Sequence, residues 1–201
     1  MSHGEHYFTA SPASPAQLRT IDVRLAGRDV RVTTAPGVFS GDHLDHATRL
    51  LLEKVPPPPA TGDLLDLGCG WGPIALTLAH AAPQARVWAV DVNERALDLT
   101  RRNAEADGAT NVTAVEPDEV PDDVTFAAIW SNPPIRIGKP AVHAMLVRWL
   151  PRLAPDGVAH LVVSKNLGAD SLARWITAEL GLPVERVTSA GGFRILRVTR
   201  A

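Results

Sequence analysis

Hydrophobic positions follow two regimes along the chain. In RTIDVRLAGRDVRVTT, Ile21, Val23 and Leu25 alternate with charged residues, and Val30 and Val32 resume the alternation after Ala-Gly-Arg-Asp. A period of two predicts strands, here a hairpin with one apolar face and one face carrying Arg24, Arg28 and Arg31. DHATRLLLEKV predicts a short helix. Leu50, Leu51 and Leu52 are adjacent, which is too broad an apolar arc for a surface helix and predicts burial. The prolines at 56–59 end it as a stiff spacer. From residue 63 the rhythm changes: short apolar runs near 64, 86, 111, 126 and 158 alternate with helical stretches at 73–82, 94–107, 139–153 and 168–180. Such alternation predicts a parallel sheet with helices on both faces. PVERVT and FRILRVT then follow each other across Gly-Gly with no helix between them, which predicts a closing hairpin and an antiparallel last strand. The organisation expected is a flexible tail (1–17), a hairpin and helix packed on the core (18–60), and an α/β core (61–201).

Composition narrows the setting. With 201 residues, 45% hydrophobic and 21% charged, the chain suits one globular domain. No apolar run approaches the roughly 18 residues that span a bilayer, and MSHGEHYFTASPASP has neither the basic nor the apolar region of a secretory signal. A cytoplasmic protein with no membrane partner is expected. The single cysteine, Cys69, excludes an intrachain disulfide and a Cys-rich zinc site. His43 and His46 stand i, i+3, but no third ligand is evident, and no metal is expected. The net charge of −2 means that a nucleic-acid partner would have to be held by a local basic patch.

LLDLGCGWGPIAL carries the strongest cofactor pattern. An apolar run ends in Asp66; Gly68, Gly70 and Gly72 follow around Cys69; Pro73 then opens a helix at the position where its missing N–H costs nothing. Glycines permit a sharp turn and close approach of a ligand, at the carboxyl ends of the strands where open α/β sheets bind ligands. Dinucleotide sites use G-x-G-x-x-G with bare amides for a pyrophosphate. The G-x-G-x-G spacing and the acid before it disfavour that anion and suit a ligand with a positive end. The next strand ends VWAVDVN, where Asp91 can take both hydroxyls of a ribose.

These residues resemble class I S-adenosylmethionine-dependent methyltransferases: DLGCGWG looks like their first motif and Asp91 like the acid ending their second strand. The resemblance implies a Rossmann-like, seven-stranded, mostly parallel sheet of order 3-2-1-4-5-7-6 with the last strand antiparallel. It implies S-adenosylmethionine held by Asp66, Gly68, Cys69, Gly70, Gly72, Asp91, Val92, Asn93 and Asn132, with Glu116 at the adenine amino group. APGVFSGDHLDHATRLLLE and HYFTASPASP further resemble the "methyltransferase small" family, with the RsmC-like ribosomal RNA guanine-N2 methyltransferases and their one-domain relatives. That places Phe39 and Thr48 near the methionine end of the cofactor. Gly-Gly-Phe-Arg-Ile at 191–195 resembles the same family's closing hairpin.

SNPPIRIGKP follows the fourth strand of that core, on the same rim as the glycine loop. In this place Asn-Pro-Pro resembles the signature of enzymes that methylate planar nitrogens; alone, it could also be a turn. An exocyclic amine is a poor nucleophile because its lone pair is delocalised into the ring. Two acceptors aimed at its hydrogens, the Asn132 side-chain carbonyl and the Pro133 backbone carbonyl, localise that pair. Proline supplies no competing N–H and fixes φ, so the acceptors are preorganised and no strong base is needed before transfer. Pro134 and then the stacking position follow, where an aromatic is usual and Ile135 stands instead.

The expected activity is S-adenosylmethionine-dependent N-methylation of an exocyclic amine, with guanine N2 of 16S ribosomal RNA favoured. Arg136, Lys139 and Lys165, together with the hairpin arginines, would hold RNA through its phosphates. The alternatives are another planar nitrogen (a tRNA base, a protein glutamine or a small molecule), a non-catalytic cofactor- or RNA-binding module, and an NAD enzyme. The RsmC enzymes carry a second, degenerate domain for which these residues show no counterpart. Whether the chain is a monomer or a homodimer does not follow from its sequence.

Overall fold

The structure, a computed structural model, describes residues 17–200. The expected tail, and with it HYFTASPASP, falls almost entirely outside the described residues. β1 (Arg19–Leu25) and β2 (Arg28–Thr34) form a two-stranded antiparallel sheet. Ala26 and Gly27 both have positive φ, the signature of the two-residue turn whose twist matches a hairpin. Leu25, Val30 and Val32 are buried, as the alternation requires. The helix α1 (His46–Lys54) follows, capped by the Asp45 side chain. Its three successive leucines are all buried.

The core sheet has seven strands: β3 (Asp63–Leu67), β4 (Arg86–Val90), β5 (Val112–Val115), β6 (Phe126–Ser131), β7 (Leu153–Ser164), β8 (Val184–Ala190) and β9 (Phe193–Thr199), in the order β5-β4-β3-β6-β7-β9-β8. Counted from β3, this is the expected 3-2-1-4-5-7-6. β9 runs antiparallel to both β7 and β8, and the remaining pairs are parallel. α2 (Pro73–Ala81) and α3 (Glu94–Ala106) pack on one face with α1 and the hairpin; α4 (Lys139–Trp149) and α5 (Ala169–Leu180) cover the other. β3 shows why its apolar run is continuous. Leu64 faces the first layer and Leu65 and Leu67 the second, so both faces are dry.

Two boundaries differ from the sequence reading. α4 ends at Trp149, because Pro151 cannot continue an α-helix and a 3-10 turn (Leu150–Arg152) takes over. β7 begins at Leu153 rather than near 158. Its pairing with β6 shifts register, from Phe126↔Leu153 to Ala128↔Val158. The intervening Ala-Pro-Asp-Gly bulges past Phe126, where a Cβ on Gly157 would lie 2.5 Å from the Phe126 carbonyl oxygen. Among the described residues no helix is long and apolar enough to cross a membrane.

Candidate active site

The carboxyl ends of β3, β4, β6 and β7 open on a cavity of about 600 Å³. Gly68, Gly70, Asp91 and Val92 line one part of it; Asn132, Pro133, Pro134 and Ile135 line another. The glycine loop and the Asn-Pro-Pro turn therefore share one space.

The loop is shaped by its own amides. Gly68 and Cys69 N–H donate to the Val90 carbonyl, Gly72 N–H to that of Cys69, and Gly70 N–H to Asp91 Oδ2 at 2.9 Å. Gly68 and Gly72 have φ of +80° and +94°, a region that favours glycine. A Cβ on Gly68 would project into open space, whereas one on Gly72 would press on Thr100 at 3.0 Å. Gly68 thus leaves room for a ligand, and Gly72 for the packing of α2 on α3. With four loop amides consumed internally and Asp91 beside them, the loop offers no cluster of donors for a pyrophosphate. This disfavours a dinucleotide on geometry as well as on spacing.

Asp66 differs from its expected role. It is fully buried and does not line the cavity. Residues 64 and 66 share one sheet face, so Asp66 points under α2, where its Oδ2 accepts the Ala75 amide at 2.8 Å. Gly72, at the helix N-cap, has no side chain to do this. Asp66 is the surrogate cap of α2 and supports the loop from behind. Its Oδ1 has no hydrogen-bond partner. Burial, opposed by the Ala75 amide and aided by Asp91, pushes its pKa up to about 8.

Asp91 does face the cavity. Its two oxygens accept Gly70 N–H and Asn93 N–H at 2.9 and 3.0 Å, and burial raises its pKa against those amides and that of Val92. Each carboxylate oxygen keeps further acceptor capacity, so the pair of ribose hydroxyls fits. Val92 is 47% exposed on the cavity wall and presents an apolar face. Asn93 is fully buried: its Oδ1 caps α3 and its Nδ2 donates to Gly37, so its side chain serves the scaffold. Glu116 also has a structural duty, capping the 3-10 turn Pro117–Glu119; Pro117 is the residue of that turn on the cavity. Burial, then Asp91 and Asp66, raises the Cys69 thiol well above its usual range. Cys69 is a neutral filler there.

At the other end Pro134, with φ −74° and ψ 65°, is the centre of an inverse γ-turn closed by Ile135 N–H to the Pro133 carbonyl at 2.8 Å. One lone pair of that carbonyl is used and one remains. Asn132 Nδ2 donates to Asp45 Oδ2 at 2.9 Å and to Thr48 Oγ1 at 3.1 Å. Thr48 and Phe39 both border a small annex of the cavity with Gly68, Cys69 and Asn132. Phe39 also lines the main space.

The cations are less concentrated than the sequence suggested. The hairpin arginines each meet an acid: Arg24 with Asp29, Arg31 with Asp22, both cross-strand partners, and Arg28 with Asp107. Lys139 and Lys165 are exposed but do not line the cavity. The Arg136 side chain lies outside the described residues. The two histidines of GDHLDH go to different partners, His43 to Asp42 and His46 to the Phe193 ring.

Three residues escaped the sequence reading. Asp45 has a local signal, since an acid three residues before a helical Thr is a capping pattern. Ser131, fully buried, donates to the Leu67 carbonyl at 2.6 Å and ties the ends of β6 and β3 together. Phe193 opens β9 opposite Ser164 and lines the cavity, its ring centroid 5.8 Å from that of His46.

Comparison with known proteins agrees with this geometry. Residues 29–197 match the methyltransferase small domain. The chain is 37% identical over 199 residues to the uncharacterized protein YbxB of Bacillus subtilis, covering 98% of each. It is 33% identical to the ribosomal RNA small subunit methyltransferase C of Pseudomonas aeruginosa, over 95% of this chain and 58% of that protein. Among solved structures, the T. thermophilus 16S rRNA N2 G1207 methyltransferase (RsmC), in complex with AdoMet and guanosine, superposes with a TM-score of 0.79 at 26% identity, covering 93% of this chain and 52% of that one. The chain thus spans little more than half the length of these RsmC relatives. It belongs to the methyltransferase small domain family and is an S-adenosylmethionine-dependent methyltransferase.

Proposed function

We propose that this enzyme methylates an exocyclic amine of ribosomal RNA in the cytoplasm, with guanine N2 of the small-subunit RNA as its target. The observation that carries the reading is the single cavity joining Asp91 and the glycine loop to Asn132 and Pro133. Bound S-adenosylmethionine supplies a methyl group on a positively charged sulfur, open to in-line attack. The protein's part is positioning. Asp91 takes the ribose hydroxyls, Val92 and Pro117 give apolar surface for the adenine, and Phe39 and Thr48 border the methionine end. Asn132 Oδ1 and the free lone pair of the Pro133 carbonyl accept the two hydrogens of the target amine. The nitrogen lone pair is then directed at the methyl group; the C–S bond breaks as the C–N bond forms, and the amine releases one proton to water afterwards. A target base has to be unpaired to reach this depth. Its flat face meets Ile135 on one side of the site and the ring of Phe193 lies on the same cavity. RNA phosphates outside would meet the exposed Lys139 and Lys165. The curated relatives are named for methylation of small-subunit ribosomal RNA and the solved RsmC structure for N2 of G1207, which supports the choice of RNA and of guanine N2.

Nucleoside mass spectrometry of ribosomal and transfer RNA from a strain lacking the gene tests the reading. Loss of N2-methylguanosine from small-subunit RNA, restored by the wild-type gene, is expected; an unchanged ribosomal RNA profile refutes it. Ile135 favours a second reading, the same chemistry on another planar amine, because an aliphatic residue grips a large base less tightly than a ring. A modified nucleoside lost from tRNA, or label entering only protein or small molecules, would establish that reading instead.

A further inference from the structure

Asp45 Oδ2 serves two donors, the Thr48 amide at 3.0 Å and Asn132 Nδ2 at 2.9 Å. The first bond is an ordinary helix N-cap. The second contributes nothing to the helix. Thr48 Oγ1 gives the same Asn132 nitrogen another acceptor at 3.1 Å. An ionised carboxylate has no hydrogen to donate. The end of the Asn132 amide that meets Asp45 must therefore be its NH2, and the carbonyl end is turned away from α1. Asn132 also lines the cavity.

We propose that Asp45, assisted by Thr48, is a positioning residue for methyl transfer, holding Asn132 in the one amide orientation that offers the target amine an acceptor. This rests on the reading of Asn132 as the amine clamp. Two physical effects follow. The first is geometric: a freed amide can turn over and present NH2 to an amine that also carries hydrogens, donor against donor. The second is electrostatic. A carboxylate bonded to the amide N–H polarises that amide and raises the negative charge on its oxygen. The target nitrogen becomes positive only as it takes the methyl group, so the added attraction belongs to the transition state. Asp45 should therefore act on kcat more than on KM.

The bland alternative is that Asp45 only caps α1. A second is that it holds the ammonium of the cofactor. Three substitutions separate these roles. Asp45→Ser retains a good cap but is too short to reach Asn132. Asn132→Asp sets two carboxylates against each other. The double substitution Asp45→Asn with Asn132→Asp restores a donor facing an acceptor, with the roles exchanged, and asparagine caps a helix as well as aspartate does. Full-length protein would be assayed with labelled S-adenosylmethionine on RNA of small ribosomal subunits from the deletion strain, and S-adenosylhomocysteine affinity measured by calorimetry. Expected are a kcat lower by about 10- to 100-fold for Asp45→Ser and at least as low for Asn132→Asp, with KM and S-adenosylhomocysteine affinity within about threefold of wild type. The double substitution should regain about tenfold or more over Asn132→Asp. Wild-type kcat in Asp45→Ser, no regain in the double substitution, or a loss explained by weaker S-adenosylhomocysteine binding would each overturn the proposal. A wild type that labels no RNA refutes the RNA substrate alone, and the same series is then run on whichever cell fraction it does label. A wild type that labels nothing refutes the clamp and this inference with it.

Discussion

Asp66 Oδ2 accepts the Ala75 amide at 2.8 Å from beneath the glycine loop, while its Oδ1 has no partner. The carboxylate that the loop motif suggests for ligand contact is thus a cap in a dry interior. Burial raises its pKa from 3.8 to about 8. The folded state keeps the proton up to about that pH, whereas the unfolded chain releases it near 4. Between these values the folded state binds more protons, so the contribution of Asp66 to stability falls as pH rises. Asp66→Asn keeps an acceptor for Ala75 and removes the titration. Thermal unfolding of wild type and variant at pH 5 and pH 8 should show a smaller fall for the variant, by roughly 2–4 °C or more. Parallel slopes would refute the assignment.

Asp91 holds both the loop, through Gly70, and the space where a ribose would lie. Asp91→Ala should weaken S-adenosylhomocysteine binding roughly 10- to 100-fold, the scale of losing one or two hydrogen bonds to a charged acceptor. Calorimetric titration measures this. NAD should give no heat with either protein, because the loop amides are already engaged.

Much of this was legible in the chain because the signals were local. The alternation of Ile21, Val23 and Leu25, the glycine spacing, the acid ending VWAVD and the missing helix between PVERVT and FRILRVT each state a backbone requirement within a few residues. The sheet order followed from the family that those motifs resemble. What the sequence hid is side-chain direction across long separations. Asp66 and Asp91 have the same parity in the sheet, since Asp66 pairs with Ala89, yet Asp66 lies inside β3 under α2 while Asp91 stands one residue beyond β4, on the cavity. Asn132 meets Asp45 and Thr48 only after α1 packs on β7, the neighbour of β6 in the sheet. The arginines of β1 and β2 looked like an RNA-facing stripe until register placed Asp22 and Asp29 opposite two of them.

Asn132 should separate binding from chemistry. Its Nδ2 is engaged with α1, and its carbonyl is the only side-chain acceptor contributed by the Asn-Pro-Pro turn. Asn132→Ala should lower turnover about 10²- to 10³-fold, the usual cost of removing a preorganised partner of a charging transition state. S-adenosylhomocysteine affinity should stay close to wild type. Equal turnover would refute the clamp mechanism, and a large loss of affinity would assign Asn132 to the cofactor instead.

Phe193 is the residue to test for base recognition. It opens β9 at the sheet rim, where its partner Ser164 also lines the cavity. His46 holds its ring from the side of α1, and the turn before it is packed so closely that a Cβ on Gly191 would fall 2.5 Å from His46 Nε2. The closing hairpin is thus pinned against the helix whose Thr48 bonds Asn132, and Phe193 and Asn132 line the same cavity. Ile135 offers only aliphatic contact, whereas Phe193 brings a ring to the same cavity that can stack on a base. Stacking is worth roughly 1–3 kcal/mol per base, and it is gained on binding as much as in the transition state. Phe193→Leu should therefore raise KM for RNA about 5- to 100-fold with kcat much less affected, while Phe193→Trp retains the wild-type KM within a few fold. Leucine preserves the packing on His46 better than alanine would, so thermal stability should change little. Equal KM values for the leucine and tryptophan variants would show that the ring serves only to pack the hairpin and that the base is held by other residues.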